Sequence, residues 1–216
     1  LAYSPSRRAV SVMSIIVVPT MADGGAYDTT GIVLAAGPGT RAGGPKALLR
    51  MPDGTPWLEL AVRTLLEGGC SRVVVVLGAQ ARIARPLVPE IENVTTVVAQ
   101  EWERGMSESL RTGLAAASGG AALLTLVDLP QLPVGVVQRV LGAEGELRQA
   151  TFDSRPGHPV YIASAHWTAV AETLEGDRGA RGYLVEHGVT EVPCGDLWDG
   201  ADRDECEGEP EEQQGR

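Results

Sequence analysis

The chain has 216 residues, with 28 acidic and 18 basic side chains and a formal net charge of −10, a balance that excludes the broad basic surface needed to bind nucleic acid or an anionic membrane. Hydrophobic residues make up 44% but aromatics only 4%, so the core must be built from Val, Leu, Ile and Ala, as in parallel strands buried between helices. Cys70, Cys194 and Cys206 are odd in number and lack close metal-ligand spacing, which points to reduced thiols in a cytoplasmic protein.

In chain order, residues 1–28 come first and read as a leader. Arg7 and Arg8, the apolar run Ala9 to Val18 and then Thr20-Met21-Ala22 have the outline of a secretory signal. The favoured reading is nonetheless a dispensable leader with Met21 as the true start. No stretch approaches the roughly 20 apolar residues of a membrane span.

From residue 29 the chain alternates short β-branched runs with longer amphipathic ones, the pattern of repeated βα units. The spacing predicts a strand over 31–36, a Gly- and Pro-rich loop over 37–45, and a helix over 56–67 stopped by Gly68-Gly69. Residues 72–77 form an unalternated Val run, so both faces of that strand should be covered. A short helix over 81–87, a strand over 94–99, a helix over 107–117 capped by Ser107 and a strand over 121–127 follow. Pro133 opens another helix. Residues 150–162 read as a hairpin broken at Arg155-Pro156-Gly157, then come helices over 165–174 and 179–186 and a strand over 189–193. Residues 199–216 carry eight acidic side chains against Arg203 and Arg216, which leaves a net −4 for everything before this solvated tail. The expected fold is α/β: one three-layer α/β/α domain over 29–198 with a mostly parallel, Rossmann-like sheet and its ligand at the carboxyl ends of the strands.

The loop after the first strand carries the chemistry. Seventeen of the eighteen basic residues are arginine, and the one lysine, Lys46, lies in GIVLAAGPGTRAGGPKALL, where backbone amides and a compact ammonium suit a polyphosphate. Gly37 to Ala42 satisfies the dinucleotide pattern G-x-G-x-x-G/A, but Gly43-Gly44-Pro45 intervenes before any helix, and the second strand ends in Gly78-Ala79-Gln80 with no acidic residue for a ribose. A Walker-type loop fails as well, because Pro45 precedes the lysine and Ala47 stands in place of Ser or Thr. Asp128 ends an apolar strand, where a carboxylate needs a cation or a hydrogen bond. It reads either as a turn residue capping the next helix or, better, as a magnesium ligand beside a triphosphate.

Five short motifs stand in order between residues 31 and 190. They are L-A-A-G-x-x-x-R-x-G with P-K, Gly105-Met106-Ser107-Glu108-Ser109-Leu110, Asp128-Leu129-Pro130, Gly157-His158-Pro159 and Gly176-Asp177-Arg178-Gly179-Ala180-Arg181. Together they resemble the molybdenum cofactor cytidylyltransferase group of nucleotidyltransferases, with a GT-A-like Rossmann-type fold. In such enzymes a terminal phosphate on an acceptor attacks the α-phosphorus of a nucleoside triphosphate and pyrophosphate leaves. The resemblance implies that Arg41 and Lys46 bind the β- and γ-phosphates, aided by the amides of Gly37, Gly39 and Thr40, with Lys46, Arg41 and Asp128 as the catalytic set. It places Leu34, Ala35, Ala36, Gln100, Gly105, Met106 and Ser107 about the nucleotide. His158, Asp177, Arg178 and Arg181 fall toward the acceptor. Mg2+ would be held by Asp128 and, from the stretch matching the group's D-I-D-T-P-E-D, by Asp202. That second match is loose, since Thr and Pro are missing and an ordinary acidic tail reads the same way. Ala42 also departs from the Met usual after the loop's Arg.

Base choice rests on Ala36. The cytidine-transferring members carry L-A-A-G and the guanylyltransferases L-A-G-G, and a methyl group beside the base disfavours a purine. The expected partners are CTP and molybdopterin, and then a molybdenum hydroxylase. Transfer from GTP to molybdopterin, transfer to another phosphorylated acceptor, such as a phosphosugar, phosphoalcohol or phospholactate, and a noncatalytic module that delivers cofactor are the competing readings.

Overall fold

The computed structural model describes residues 28–40 and 43–202. The expected leader, Arg41, Ala42 and the tail from 203 onward lie outside the described residues. Among the described residues, seven strands and six α-helices run in the order β1 (Thr29–Ala35), α1 (Trp57–Gly68), β2 (Arg72–Leu77), α2 (Ala81–Ala84), β3 (Val94–Val98), α3 (Met106–Ala116), β4 (Ala121–Leu126), α4 (Val134–Gly142), β5 (Leu147–Phe152), β6 (Arg155–Ala163), α5 (Trp167–Thr173), α6 (Arg181–Glu186) and β7 (Thr190–Pro193). They form a single sheet of order β3-β2-β1-β4-β6-β5-β7. β1 pairs in parallel with β2 and β4, β2 with β3, and β5 with β7, whereas β6 runs antiparallel to both β4 and β5.

The apolar side chains follow the two-residue period of a strand, so each strand feeds two cores. Val33 and Ala35 of β1, with Val73, Val75 and Leu77 of β2, face α1 and α4. Ile32, Leu34, Val74 and Val76 point to the opposite layer, where α3, α5 and α6 contribute Leu110, Leu114, Val170 and Leu184. The uninterrupted Val run of β2 is therefore covered on both faces, as its sequence predicts. In α1, Leu58, Ala61, Val62 and Leu65 are buried at helical spacing, and full burial of each larger side chain contributes about 1.5–3 kcal/mol. The helix ends at Gly69, whose φ of 116° is left-handed and whose amide reaches the carbonyls of Leu65 and Leu66.

Several expected boundaries move. The 81–87 helix is a four-residue α2 followed by a 3-10 turn over Arg85–Leu87, because Pro86 cannot supply the amide that would continue it. The hairpin turns at Asp153 and Ser154, both at positive φ, and not at residues 155–157. A two-residue turn with both central residues left-handed matches strand twist. Pro156 is tolerated inside β6 because β4 pairs only with residues 160–163. At the far end of that strand pair, Arg148 is buried and donates to the carbonyls of Val140 and Leu141 in the last turn of α4, with its guanidinium 3.9 Å from the centre of the Tyr161 ring. No helix among the described residues is long and apolar enough to cross a membrane.

Candidate active site

In an open parallel sheet the loops that leave adjacent strands toward opposite faces part at a switch point, which leaves a crevice at the carboxyl ends. Here that point lies between β1 and β4. A cavity of about 420 Å³ opens there, lined by the end of β1 and its loop (Leu34 to Pro38), Lys46 and Ala47, the end of β4 with its turn (Leu126 to Asp128), the segment before and into α3 (Trp102, Glu103, Gly105, Met106, Ser109), and Asp177.

Two residues 82 positions apart meet at its floor. Lys46 opens a one-turn 3-10 helix after Pro45, and its Nζ donates to Asp128 Oδ2 at 2.9 Å. Both side chains are mostly enclosed, with 17% and 18% exposed. The other carboxylate oxygen, Asp128 Oδ1, is buried without a hydrogen-bond partner. A buried carboxylate oxygen left without a partner carries a substantial desolvation cost, and a cation at that atom would remove it. The donor set thus fits a divalent ion at Oδ1. Among the described residues no group of three or more His, Cys, Asp or Glu side chains is arranged to hold a metal, so any remaining ligands would come from substrate oxygens and water.

The glycine-rich loop is held by its own backbone. Gly39 has φ 59°, and a Cβ there would come within 1.8 Å of the Gly44 carbonyl oxygen; the Gly44 amide donates back to Gly39 O at 3.1 Å. Of the loop residues expected to hold phosphates, Gly37 lines the cavity, and Gly39 and Thr40 lie outside its lining. Leu34, Ala35 and Ala36 all line it.

The segment after β3 shows what sequence reasoning misplaced. α3 starts at Met106 with Gly105 as its cap, one residue before the expected start, and no side chain caps it. Met106, 42% exposed, and Ser109, three residues on, point to the cavity, whereas Ser107 is buried at 2%. The Ser107 amide donates to Gly176 O at 3.0 Å, so it is engaged within the protein and does not offer an anion a free donor. Gln100 is exposed and outside the lining. Trp102 and Glu103 line the cavity instead; the clue in the sequence was their position on the stretch already bracketed by Gln100 and Gly105.

Residues 176–181 dock on this segment. At Gly105, whose φ is 110°, a Cβ would lie 2.5 Å from the Gly176 backbone and 2.6 Å from Asp177 Oδ1. Asp177 is thereby brought to the cavity, whereas Arg178 and Arg181 are exposed and outside its lining, as is Asp202. His158 sits on β6 beside β4, with Nδ1 3.4 Å from Leu124 O. Burial pushes its pKa below the ordinary imidazole value, against the opposing pull of that carbonyl and of the Asp128 carboxylate. It therefore supports the wall behind Asp128 as a neutral ring and does not line the cavity.

Comparison with known proteins fits this geometry. Residues 31–191 match the model of the MobA-like NTP transferase domain. The chain belongs to that family. Among relatives, this NTP transferase is 40% identical over 191 residues to the nicotine blue oxidoreductase of Paenarthrobacter nicotinovorans, covering 82% of the chain and 93% of that protein. It is 25% identical over 134 residues to the molybdenum cofactor cytidylyltransferase of Escherichia coli strain K12, covering 61% and 68%. The crystal structure of Rv0371c from Mycobacterium tuberculosis H37Rv superposes with a TM-score of 0.67 at 27% identity, covering 83% and 94% of the two chains. A manganese complex of the same mycobacterial protein matches with a TM-score of 0.62 at 26% identity, covering 77% and 88%.

Proposed function

We propose that this nucleotidyltransferase moves the cytidylyl group of CTP onto the terminal phosphate of molybdopterin, forming molybdopterin cytosine dinucleotide. A phosphate oxygen of the acceptor attacks the α-phosphorus, a new P–O bond forms, the bond from the α-phosphorus to the bridging oxygen breaks, and pyrophosphate leaves. The observation that carries the reading is the Lys46–Asp128 pair, with one buried carboxylate oxygen left over, set in a cavity at the β1/β4 switch point. Lys46 carries positive charge to the bond that breaks, and Arg41 would add to it from the glycine-rich loop. Asp128 would hold Mg2+ through Oδ1. The ion supplies charge neutralisation on the phosphates. Asp177 faces the acceptor, and Ala36 lies where its methyl group favours a pyrimidine. The reaction belongs in the cytoplasm, where triphosphates are available, and its product would pass to a molybdenum hydroxylase.

Pyrophosphate release with CTP, molybdopterin and Mg2+ tests the reading. Release that needs the metal and the acceptor, and that CTP supports better than GTP, is the expected result. No release with any of the four triphosphates and several phosphorylated acceptors would leave a delivery module as the better description. A second reading is favoured by the 40% identity to nicotine blue oxidoreductase: an oxidoreductase that acts on nicotine blue. A change in the absorption spectrum of nicotine blue on incubation with the protein and an added redox partner, with no pyrophosphate formed from CTP, would establish that activity in place of the transferase.

A further inference from the structure

The cavity has two unlike poles. At the β1/β4 end stand Lys46 and Asp128. Toward the β2 and β3 side stand Trp102, Glu103 and Met106, carried there by the short 3-10 turn Trp102–Arg104 that follows β3. This second pole is fixed in place by close packing. The Ala79 amide donates to Ala36 O at 3.0 Å, and a Cβ on Gly78 would lie 2.6 Å from Ala36 O and 2.8 Å from the Trp102 Cβ, so the turn rests directly on the ends of β1 and β2.

A nucleoside triphosphate whose phosphates lie at the Lys46 pole must place its base at the Trp102 pole. The apolar wall there can pack on any base. The charged group cannot be so tolerant. Glu103 lines the cavity with no hydrogen-bond or ion-pair partner among the described residues, while its neighbour Arg104 is paired with Glu101 at 2.7 Å. A carboxylate accepts hydrogen bonds and donates none, so it suits the exocyclic amine of cytosine and opposes the carbonyl oxygen that uracil presents at the same position. It also repels phosphate, which disfavours the reversed orientation of the nucleotide.

We propose that Glu103 is a base-specificity residue, accepting a hydrogen bond from the 4-amino group of the pyrimidine and so selecting CTP over UTP. The proposal rests on the cytidylyl reading above. It goes beyond it by assigning the discrimination of amine from carbonyl to a residue outside the glycine-rich loop, leaving Ala36 to act on base size.

The test compares wild type, Glu103→Gln and Glu103→Ala for kcat/KM with CTP and UTP and for dissociation constants of both nucleotides. At this solvent-facing position the wild type should prefer CTP by about tenfold to a hundredfold. Glutamine can turn either its carbonyl or its amide to the base, so Glu103→Gln should bring the two nucleotides within about threefold, chiefly by raising UTP. Glu103→Ala should weaken CTP without improving UTP to the level seen with Gln. Unchanged melting temperatures would show that both variants fold. A CTP:UTP ratio that stays at its wild-type value in Glu103→Gln overturns the assignment. A wild type that binds neither pyrimidine nucleotide overturns the cytidylyl reading beneath it, and that result is visible before any variant is made.

Discussion

Replacing Lys46 by methionine removes the ammonium but keeps most of the side-chain volume, and the structure allows its cost to be worked out. Two unit charges about 4 Å apart attract by about 4 kcal/mol at an effective dielectric near 20. The pair is roughly five-sixths enclosed, and Asp128 Oδ1 already lacks a partner, so Lys46→Met strips the second oxygen as well. Breaking a buried pair on one side costs about 3–5 kcal/mol, and the residual exposure lowers this to about 2–3 kcal/mol here. With an m-value of about 2 kcal/mol/M, the urea midpoint should fall by roughly 1 M. The double variant Lys46→Met with Asp128→Asn should recover most of that loss, since two neutral groups carry no stranded charge, and the cycle should give a coupling of about 1–3 kcal/mol. Pyrophosphate release should fall by about 10²–10³-fold in either variant. If Lys46→Met unfolds within about 0.5 kcal/mol of wild type and the double variant is no more stable, the ion pair does not exist in solution.

Gly105→Ala forces a Cβ to within 2.5 Å of the Gly176 backbone at a left-handed φ, so it should lower stability by about 1–3 kcal/mol and raise the KM for nucleotide; wild-type values for both would show that residues 176–181 do not dock as described. His158 has a folded-state pKa below its unfolded value of about 6.5, so the unfolded chain protonates first as pH falls through that value and stability is lost below it. The drop in melting temperature from pH 7.5 to 5.5 should therefore be smaller in His158→Gln, and an equal drop would remove His158 as the cause. Burial pushes the Cys70 thiol up to about 12, so at pH 8 it should resist a thiol reagent in the native protein and react in urea, and fast native labelling of Cys70 would contradict its enclosure.

Much of the fold was legible in the sequence because it depends on short-range patterns. The Val run of β2, the spacing of Leu58, Val62 and Leu65, and the Gly69 stop each act over a few residues, and each element stands where its pattern predicts. Errors fell where local rules compete. Arg155-Pro156-Gly157 carries stronger turn letters than Asp153-Ser154, yet the pairing of β6 with β5 decides which pair turns. Ser107 is a better capping letter than Gly105, but only glycine fits against Gly176, and that contact places the helix start one residue before the expected one.

The sequence by itself determined the alternating α/β architecture, the glycine-rich loop after the first strand and the ordered motifs that mark a nucleotidyltransferase, because periodicity, turn chemistry and motif order are properties of neighbouring residues. Only the tertiary structure decided that Lys46 reaches Asp128, that Asp128 keeps one buried oxygen without a partner, and that Trp102 and Glu103, not Gln100 and Ser107, face the cavity. Those facts depend on parallel pairing of β1 with β4 and on the packing of loops over their ends, contacts between residues tens of positions apart whose geometry no local pattern encodes.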